Sequence, residues 1–458
     1  MKYCELPFEK VHVFPNGDVR VCSWTYQNIG NILQNTIEEV WHSKEAEQVR
    51  DGVRDGSFCC CNHQTCPYLA NDSLEDLTEG EFERCTQATN VPIQFSAAYD
   101  FVCNHSCPSC RHDVFVPDQQ YLKNMDKITE KLLPVMQNAK AIVTDGNGDC
   151  FASPSIFNML KALHINNPDC TIALETNGVL CDKEHLDQLE HLFNYNLSLT
   201  ITPNSFERNT YQYLSGGHDN LEKLIENLHY IRSLRRKGKV NNFEISIVVQ
   251  ETNYKELPEF TRRCIEEFEC DRVVIKPIYY WFGLTKEEYW FKDVLNPKHP
   301  YFNEYMRILK DPIFDHEKVF FWGGRDVVHE EADHPAVAYS RYMDIFGKIF
   351  SQENPSKVLE EEILRRGYNS ISLYGVNAMS EILFSLLKES TIKVSCVIDR
   401  YASVDNFHEL KVYNADNFDP NLTEFILVSN YVYYKNIEKD LRFWNYNGEI
   451  VGYDELID

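Results

Sequence analysis

Three cysteines with the spacing Cys-x3-Cys-x2-Cys stand close together in the first quarter of the chain. They are Cys103, Cys107 and Cys110. A 4Fe–4S cube has four irons and is usually held by four thiolates, so three thiolates on one short loop leave an iron open to another ligand. Zinc is the alternative metal, because it takes four nitrogen or sulfur ligands and His105 and His112 lie nearby. The spacing favours a cluster over zinc.

A second group of cysteines precedes the first. Cys4 and Cys22 lie at the two ends of a stretch that contains a β-hairpin pattern, with Asn16 and Gly17 at its turn. The hairpin would bring these two cysteines near each other. Further thiols follow in one short segment, namely Cys59, Cys60, Cys61 and Cys66.

Composition limits the classes of function. The chain has 458 residues, enough for two or three domains, and 45 Lys and Arg against 70 Asp and Glu give a net charge of −25. An acidic chain is a poor partner for a nucleic-acid backbone. With no long apolar run and no signal-peptide pattern, we expect no membrane span and a cytoplasmic location. In a reducing compartment, 16 cysteines point to metal binding or chemistry more than to disulfides.

Elements that alternate between strand and helix must position the three-cysteine loop. β-rich runs recur at intervals suited to β–α units, and residues 220–236 have the clearest helical spacing between them. This α/β pattern predicts a parallel sheet closed into a partial (β/α)6 barrel, which binds ligands at the carboxyl ends of its strands. The cysteine loop directly follows the first run. The six runs are 91–98, 140–144, 171–176, 197–202, 243–250 and 272–278.

The second run leads into Gly146-Asn-Gly148-Asp149, where the glycines allow close approach of a ligand and the carboxylate can accept a hydrogen bond. Taken alone, the loop is more simply a glycine turn with a capping Asp. Together with the cysteine loop and the strand order, however, it resembles the radical SAM (S-adenosylmethionine) superfamily. Gly-Asn-Gly-Asp stands here in place of the family's Gly-Gly-Glu-Pro motif.

The resemblance implies a mechanism and a set of SAM contacts. SAM would chelate the open iron through its amino and carboxylate groups, and electron transfer would split it into methionine and a 5′-deoxyadenosyl radical. The residue before the third cysteine, often aromatic in the family, is Ser109 here, so the adenine must rest on other groups. The implied cofactor-binding residues are Gly146, Gly148, Asp149, Asn177, Thr202 and Ser246.

The N-terminal pattern Cys-x12-Gly-x4-Cys, with Gly-Asn-Ile and Glu-Glu-Val-Trp after it, resembles the SPASM domain, an auxiliary iron–sulfur module of radical SAM enzymes. SPASM usually follows the barrel, whereas here it precedes it, and the cysteines suffice for one cluster. Cys59 and Cys60 are alternate ligands, because adjacent cysteines rarely all point inward. Zinc or spare thiols stay alternatives. The ligands we predict are Cys4, Cys22, Cys61 and Cys66.

The C-terminal hundred residues start a new α/β pattern after Glu360. A strand leads into Gly375-Val-Asn377, and a second strand ends in Asp399, which predicts a Rossmann-like domain without the full G-x-G-x-x-G fingerprint. Phosphate binding and a structural or docking role are both open. We therefore predict a SPASM-like domain, a radical SAM partial barrel, a connecting segment and a Rossmann-like domain over residues 1–85, 90–315, 316–358 and 359–458.

The predicted function is that of a radical SAM enzyme with two 4Fe–4S clusters and SAM as cofactors, which abstracts hydrogen from a sugar or nucleotide-sugar, free or carrier-linked. A reductase, flavodoxin or ferredoxin would supply electrons. The outcome is oxidation or epimerisation, and an epimerase needs a thiol to return a hydrogen atom. Cys150 is the candidate catalytic residue, unless it is simply a small core residue. The alternatives are a peptide-modifying radical SAM/SPASM enzyme and a non-catalytic, metal-stabilised scaffold.

Overall fold

The computed structural model describes residues 1–63, 66–70, 72–111, 113–280, 283–329, 347–400, 404–415, 418–429 and 434–456. The chain divides into two compact units, Met1–Ala332 and Asp333–Asp458. Each unit is an α/β structure built on its own sheet, as the sequence predicts. No helix among the described residues is both long and apolar enough to cross a membrane.

The first unit begins with a small cysteine-rich domain of short elements. A β-hairpin turns at Gly17, whose φ of +84° lies in the left-handed region that glycine adopts easily, as the Asn-Gly pattern predicts. The strands are β1 (Lys2–Tyr3), β2 (Lys10–Val13), β3 (Asp18–Arg20), β4 (Gly30–Asn31) and β5 (Glu75–Asp76). The helices are α1 (Leu6–Glu9), α2 (Ile37–Trp41), α3 (Lys44–Arg54), α4 (Pro67–Ala70) and α5 (Glu79–Cys85).

A parallel sheet follows, in which each strand pairs with the next along the chain. All six predicted runs form strands. The sequence predicts a connection over residues 316–358, but Val319–Phe321 pairs in parallel with Val273–Ile275 and adds a seventh strand. The strands are β6 (Gln94–Ala97), β7 (Ala141–Thr144), β8 (Thr171–Thr176), β9 (Asn196–Ile201), β10 (Asn242–Val249), β11 (Arg272–Pro277) and β12 (Val319–Phe321).

The helices of this region cover one face of the sheet. Because side chains alternate along a strand, residues such as Ile172 and Leu174 pack into the core, whereas Ala173 and Glu175 point to the other face. The helices are α6 (Gln119–Met136), α7 (Pro154–Ala162), α8 (Lys183–Gln188), α9 (Arg208–Leu214), α10 (Leu221–Arg236), α11 (Leu257–Glu266), α12 (Lys286–Lys292) and α13 (Phe302–Ile308). Short 3-10 helices span Glu190–Asn194, Tyr254–Glu256 and Pro312–Asp315.

The cysteine-rich domain and the parallel sheet share strands. β2 pairs in parallel with β6, with His12 opposite Ser96, so the hairpin extends the large sheet beyond its first strand. Main-chain hydrogen bonds therefore fix the N-terminal domain beside the strand that leads into the three-cysteine loop.

The second unit has a sheet in the order β15-β16-β14-β13-β17-β18, in which the pairs are parallel except β15 with β16. Its five parallel strands follow the 3-2-1-4-5 arrangement typical of doubly wound folds. The strands are β13 (Ser370–Tyr374), β14 (Lys393–Asp399), β15 (Asn406–Phe407), β16 (Leu410–Asn414), β17 (Phe425–Val428) and β18 (Glu449–Gly452). The helices are α14 (Pro355–Arg365), α15 (Ala378–Lys388) and α16 (Tyr434–Phe443), with 3-10 turns at Pro420–Leu422 and Tyr453–Leu456.

Backbone N–H groups of the loop after β13 already donate hydrogen bonds to side chains of the same unit. Val376 donates its backbone N–H to Asp399 at 2.6 Å, and Asn377 caps α15 by accepting from the amides of Met379 and Ser380. These donors are the ones that a bound phosphate would need at a helix N-terminus. Phosphate binding by this unit stays an untested prediction.

Candidate iron–sulfur and SAM site

The three-cysteine loop leaves the carboxyl end of β6 without regular secondary structure. A turn brings its second half back on itself, because Cys110 donates its backbone N–H to Cys107 at 2.8 Å. Burial raises the pKa of Cys103 to about 11 and that of Cys107 to about 12, and the neighbouring thiols add to both increases. The sulfurs of Cys103 and Cys107 thus lie near enough to that of Cys110 to interact with it electrostatically.

Close backbone contacts hold this loop in place. A Cβ atom on Gly148 would lie 2.5 Å from the carbonyl oxygen of Val102 and 2.6 Å from that of Asp100. A Cβ atom on Gly283 would meet the backbone of Cys110 in the same way. Only glycine fits at these two points, so the loops after β7 and β11 lie directly against the cysteine loop.

Arg111, directly after the third cysteine, ties the loop to its neighbours. Its guanidinium donates to the carbonyl of Phe101 at 2.5 Å, to the sulfur of Cys110 at 3.6 Å, and to the carbonyl of Asn147. Burial disfavours its charge, but the Cys110 and Cys103 sulfurs raise the pKa of Arg111 above its ordinary value. The sequence analysis did not predict a role for Arg111, although its position directly after a predicted cluster ligand could have indicated one.

Asp149 is buried beneath the glycine loop. One carboxylate oxygen accepts from the Thr176 hydroxyl at 2.7 Å and from the backbone N–H of Asn177 at 2.9 Å. The other accepts from the amides of Phe151 and Ala152 at 3.0 and 3.2 Å. These four bonds occupy about as many positions as a carboxylate offers. Asp149 therefore braces the loop, and its predicted bond to the SAM amino group stays untested.

The other predicted cofactor residues lie on strands or directly after them. Asn177 follows β8 and donates its side-chain amide to Asn104 at 2.7 Å and towards the Cys103 sulfur at 3.9 Å. Thr202 and Ser246, after β9 and within β10, share a hydrogen bond of 2.6 Å. The structure thus brings Asn177 to the cysteine loop and pairs the other two with each other.

The face of the sheet that lacks helices is polar. Ser96 donates to Asp145 at 2.5 Å across neighbouring strands. Lys276 on β11 approaches Glu175 on β8 at 3.7 Å, although β9 and β10 lie between them in the sheet. A contact that crosses two strands requires the sheet to curve, so this face is concave.

Cys150, the predicted thiol hydrogen donor, is a buried residue. Its sulfur donates to the carbonyl of Glu175 at 3.5 Å, and burial raises its pKa well above the ordinary value. It borders a cavity of about 10 Å³, the size of one water molecule, together with Asp145 and Glu175. These observations agree with the core-residue alternative, and its catalytic role stays a prediction.

The four predicted ligands of the second site lie near one another. Burial raises the pKa of Cys4 to about 12, and Cys22 and Cys66 add to that increase. Burial also raises the pKa of Cys61, with contributions from Cys22, Cys4 and Cys66. Backbone contacts between the two segments support this arrangement, since Thr25 forms a β-bridge with Cys61.

The alternate ligands have different surroundings. Cys60 packs into the main hydrophobic core of the first unit, whereas Cys59 is exposed and its sulfur lies 3.7 Å from that of Cys60. Cys61 instead packs with Cys4 beside a separate small core. This difference favours Cys61 as the ligand of the three consecutive cysteines.

The donor chemistry of both groups fits an iron–sulfur cluster, since each offers several thiols that interact with one another electrostatically. Within the ranges that the structure describes, no three Cys, His, Asp or Glu side chains stand in the arrangement of an already formed metal site. Of the residues considered for zinc, His105 is buried and stacks on His218 with ring centroids 5.2 Å apart, and His112 lies outside the described residues.

Comparisons with known proteins agree with these observations. Residues 4–67 match the family model SPASM, described as an iron–sulfur cluster-binding domain, and residues 101–264 match that of the Radical SAM superfamily. No curated protein matches the chain.

Two solved structures are similar over part of the chain. Streptococcus suis SuiB bound to S-adenosylmethionine is 14% identical, with a TM-score of 0.34 over 66% of this chain and 67% of that one. Methylornithine synthase (PylB) is 12% identical, with a TM-score of 0.29 over 56% of this chain and 81% of that one.

Proposed function

We propose that this chain, a radical SAM enzyme with an N-terminal SPASM cluster domain, abstracts hydrogen from a sugar or nucleotide-sugar and so oxidises or epimerises it. The observation that carries the proposal is the three-cysteine loop at the carboxyl end of β6, held by Gly148 and Gly283 so tightly that no side chain fits between the loops. When bound there, a 4Fe–4S cluster with SAM supplies a 5′-deoxyadenosyl radical.

Different residues would have different roles around that centre. Cys103, Cys107 and Cys110 would hold the cluster and leave one iron for SAM. The side-chain amide of Asn177 donates to Asn104 and towards the Cys103 sulfur, so it would orient the first part of the cysteine loop. Since the carboxylate of Asp149 is engaged by the protein, backbone carbonyls of the glycine loop are the more available acceptors for the SAM ammonium group.

The polarity of the concave face supports a hydroxyl-rich substrate. Ser96, Asp145, Glu175 and Lys276 point to this face, and each offers hydrogen bonds or charge to a ligand there. Burying the remaining donors and acceptors of these side chains against an apolar ligand would leave them unsatisfied, at a cost of about 1–3 kcal/mol each. A sugar or nucleotide-sugar would satisfy them.

The shared sheet supports a role for the second cluster in the same reaction. Trp24 follows Cys22 closely and packs edge-on against Tyr279, beyond the end of β11, with ring centroids 6.3 Å apart. The predicted auxiliary site therefore lies in a domain that touches the ligand-binding end of the large sheet. Cys4, Cys22, Cys61 and Cys66 would hold a cluster there that exchanges an electron with the substrate.

Anaerobic reconstitution tests the cofactors. We expect about eight irons per chain and release of 5′-deoxyadenosine from SAM with a strong reductant. Cys103→Ala should lose about four irons and abolish SAM cleavage, whereas Cys66→Ala should lose a similar number and keep part of the cleavage. If Cys66→Ala changes neither iron content nor products, the auxiliary ligand set is wrong. A tetrahedral zinc at the three-cysteine loop, with no affinity for SAM, would overturn the proposal.

Deuterium transfer tests the substrate class. The reconstituted enzyme is incubated with SAM and with candidate sugars, nucleotide-sugars and peptides deuterated at carbon. The deuterium content of the 5′-deoxyadenosine formed is measured by mass spectrometry. We expect deuterium from a sugar-type compound. Transfer from a peptide alone would identify a peptide-modifying enzyme. Deuterium uptake from solvent into the product would indicate epimerisation, and its loss in Cys150→Ala would make that thiol the donor.

A further inference from the structure

A cation faces the three predicted cluster ligands. The guanidinium of Arg111 is 3.6 Å from the sulfur of Cys110, and the sulfurs of Cys110, Cys103 and Cys107 all favour its charged form. An arginine keeps its charge at any pH at which a protein is folded. A fixed positive charge therefore lies beside the thiolates.

The same side chain connects two loops. Its other donors reach the carbonyl of Phe101, at the start of the cysteine loop, and that of Asn147, in the glycine loop. Asn147 in turn donates its side-chain amide to the carbonyl of Ala98 at 2.8 Å. The planar guanidinium offers five donors in a fixed geometry, so these contacts set its position relative to the Cys110 sulfur.

We propose that Arg111 is a positioning residue that raises the reduction potential of the SAM-binding cluster through its charge and its hydrogen bond to the Cys110 sulfur. The inference rests on the proposed function, because it requires a cluster on the three cysteines. One electron from the external donor enters the cluster, and no bond to Arg111 forms or breaks. The reduced cluster carries one more negative charge than the oxidised one, so a nearby cation stabilises it more.

A competing role follows from the same charge, in which the guanidinium binds the carboxylate of SAM. The two roles differ in what a neutral replacement changes. Loss of a potential-tuning cation shifts the redox equilibrium in the absence of SAM. Loss of a carboxylate partner weakens SAM binding and leaves that equilibrium where it was.

The experiment compares full-length wild type, Arg111→Gln, Arg111→Lys and Arg236→Gln after anaerobic reconstitution. Arg236 is the matched control, because it pairs with Glu269 on the surface, at the end of the sheet opposite the three-cysteine loop. Redox titrations without SAM follow the electron paramagnetic resonance signal of the cluster that later responds to added SAM. Iron content and the SAM affinity obtained from that response are measured on the same samples.

We expect Arg111→Gln to lower the reduced-to-oxidised ratio at the wild-type midpoint about tenfold, which is 59 mV for one electron. Arg111→Lys keeps the charge and should stay within about threefold of wild type, as should Arg236→Gln. A wild-type ratio in Arg111→Gln overturns the inference, and weakened SAM binding in that variant would then assign the carboxylate role. If Arg111→Gln loses its iron, the test uses Arg111→Lys instead. A tenfold fall of the reduced-to-oxidised ratio in that variant, which keeps the charge, overturns the inference. Wild type without a SAM-responsive cluster would refute the proposed function itself.

Discussion

At the scale of single residues, Asp149 shows how a motif position can serve the fold as much as the ligand. Its carboxylate accepts from one hydroxyl and three backbone amides that come from two segments of the chain. The sequence predicted the residue as a ligand contact because it stands at the end of the glycine loop. Which donors surround it depends on the approach of β8, which a motif does not specify.

Asp149→Asn should therefore destabilise the metal-free protein. The side-chain amide cannot accept at both ends, so at least one buried donor loses its partner, at a cost of about 1–3 kcal/mol. The change is measured by chemical denaturation under reductant and chelator. Asp145→Asn is the control, since Asp145 accepts from the Ser96 hydroxyl through one oxygen, which asparagine keeps, and it should cost less than about 1 kcal/mol. Unchanged stability with weakened SAM binding would assign Asp149 to the ligand instead.

Gly148→Ala should disrupt the cysteine loop through contact alone. The new methyl group would meet two backbone carbonyls at 2.5 and 2.6 Å, and backbone atoms cannot rotate away as a side chain can. We expect a destabilisation of about 1–3 kcal/mol and at least a tenfold loss of 5′-deoxyadenosine release. The control is Gly80→Ala in α5, where the nearest atom is 3.9 Å away. An active Gly148→Ala enzyme would contradict the close packing of these loops.

The candidate site was predictable as far as it lies on single loops. The three-cysteine spacing and the glycine loop are local patterns, and both lie where the sequence places them. Arg111 was missed, because its importance comes from reaching Asn147 in another loop. The hydrogen bond between Thr202 and Ser246 likewise depends on the register of neighbouring strands, which no local pattern reveals.

At the scale of elements, strands were predictable where a β-rich run is long and alternates with helices. All six such runs form strands, whereas β12 has only Val319–Phe321, which is too short to stand out from the segment predicted as a connection. The hairpin of β2 and β3 was also predicted, from its Asn-Gly turn. Its parallel pairing with β6 was not, because that contact joins segments about 80 residues apart and is fixed by tertiary packing.

The N-terminal domain depends on a buried arginine of α3. Arg50 is 1% exposed, donates to the carbonyls of Pro7 and Trp41 at 3.0 and 2.8 Å, and lies over the Trp41 ring. Through these contacts α3 holds α1 and α2 together. An ammonium group lacks the planar fork that reaches both carbonyls at once.

Arg50→Lys should destabilise this domain by about 1–3 kcal/mol, because at least one buried carbonyl is left unpaired. We expect auxiliary iron to be lost on mild chelation while iron at the three-cysteine loop remains. Iron per chain after timed chelation and calorimetry check this. Arg84→Lys, at an exposed position of α5 in the same domain, should cost less than about 1 kcal/mol. Equal loss of iron from both sites would show that Arg50 does not act within its own domain.

At the scale of the whole molecule, metal loading should weaken the dependence of stability on pH. In the metal-free fold, burial raises the pKa of Cys103 to about 11 and that of Cys4 and Cys107 to about 12. An unfolded chain ionises its thiols from about pH 8.5, so the free energy of unfolding of the metal-free protein falls as pH rises above that value. In the loaded protein these groups are thiolates already, and loading must displace fewer protons at higher pH.

We therefore expect the metal-free melting temperature to drop by about 5 °C between pH 7.5 and 9.5, and that of the loaded protein to drop clearly less. Both are measured anaerobically by calorimetry with a phosphine reductant. The comparison isolates the ligand thiols, because the net charge of −25 and the other buried cysteines, such as Cys150 and Cys181, contribute to both forms. Cys103→Ala should reduce the metal-free drop, since it removes one thiol that the fold keeps protonated. Parallel curves for the two forms would mean that these cysteines do not hold the metal.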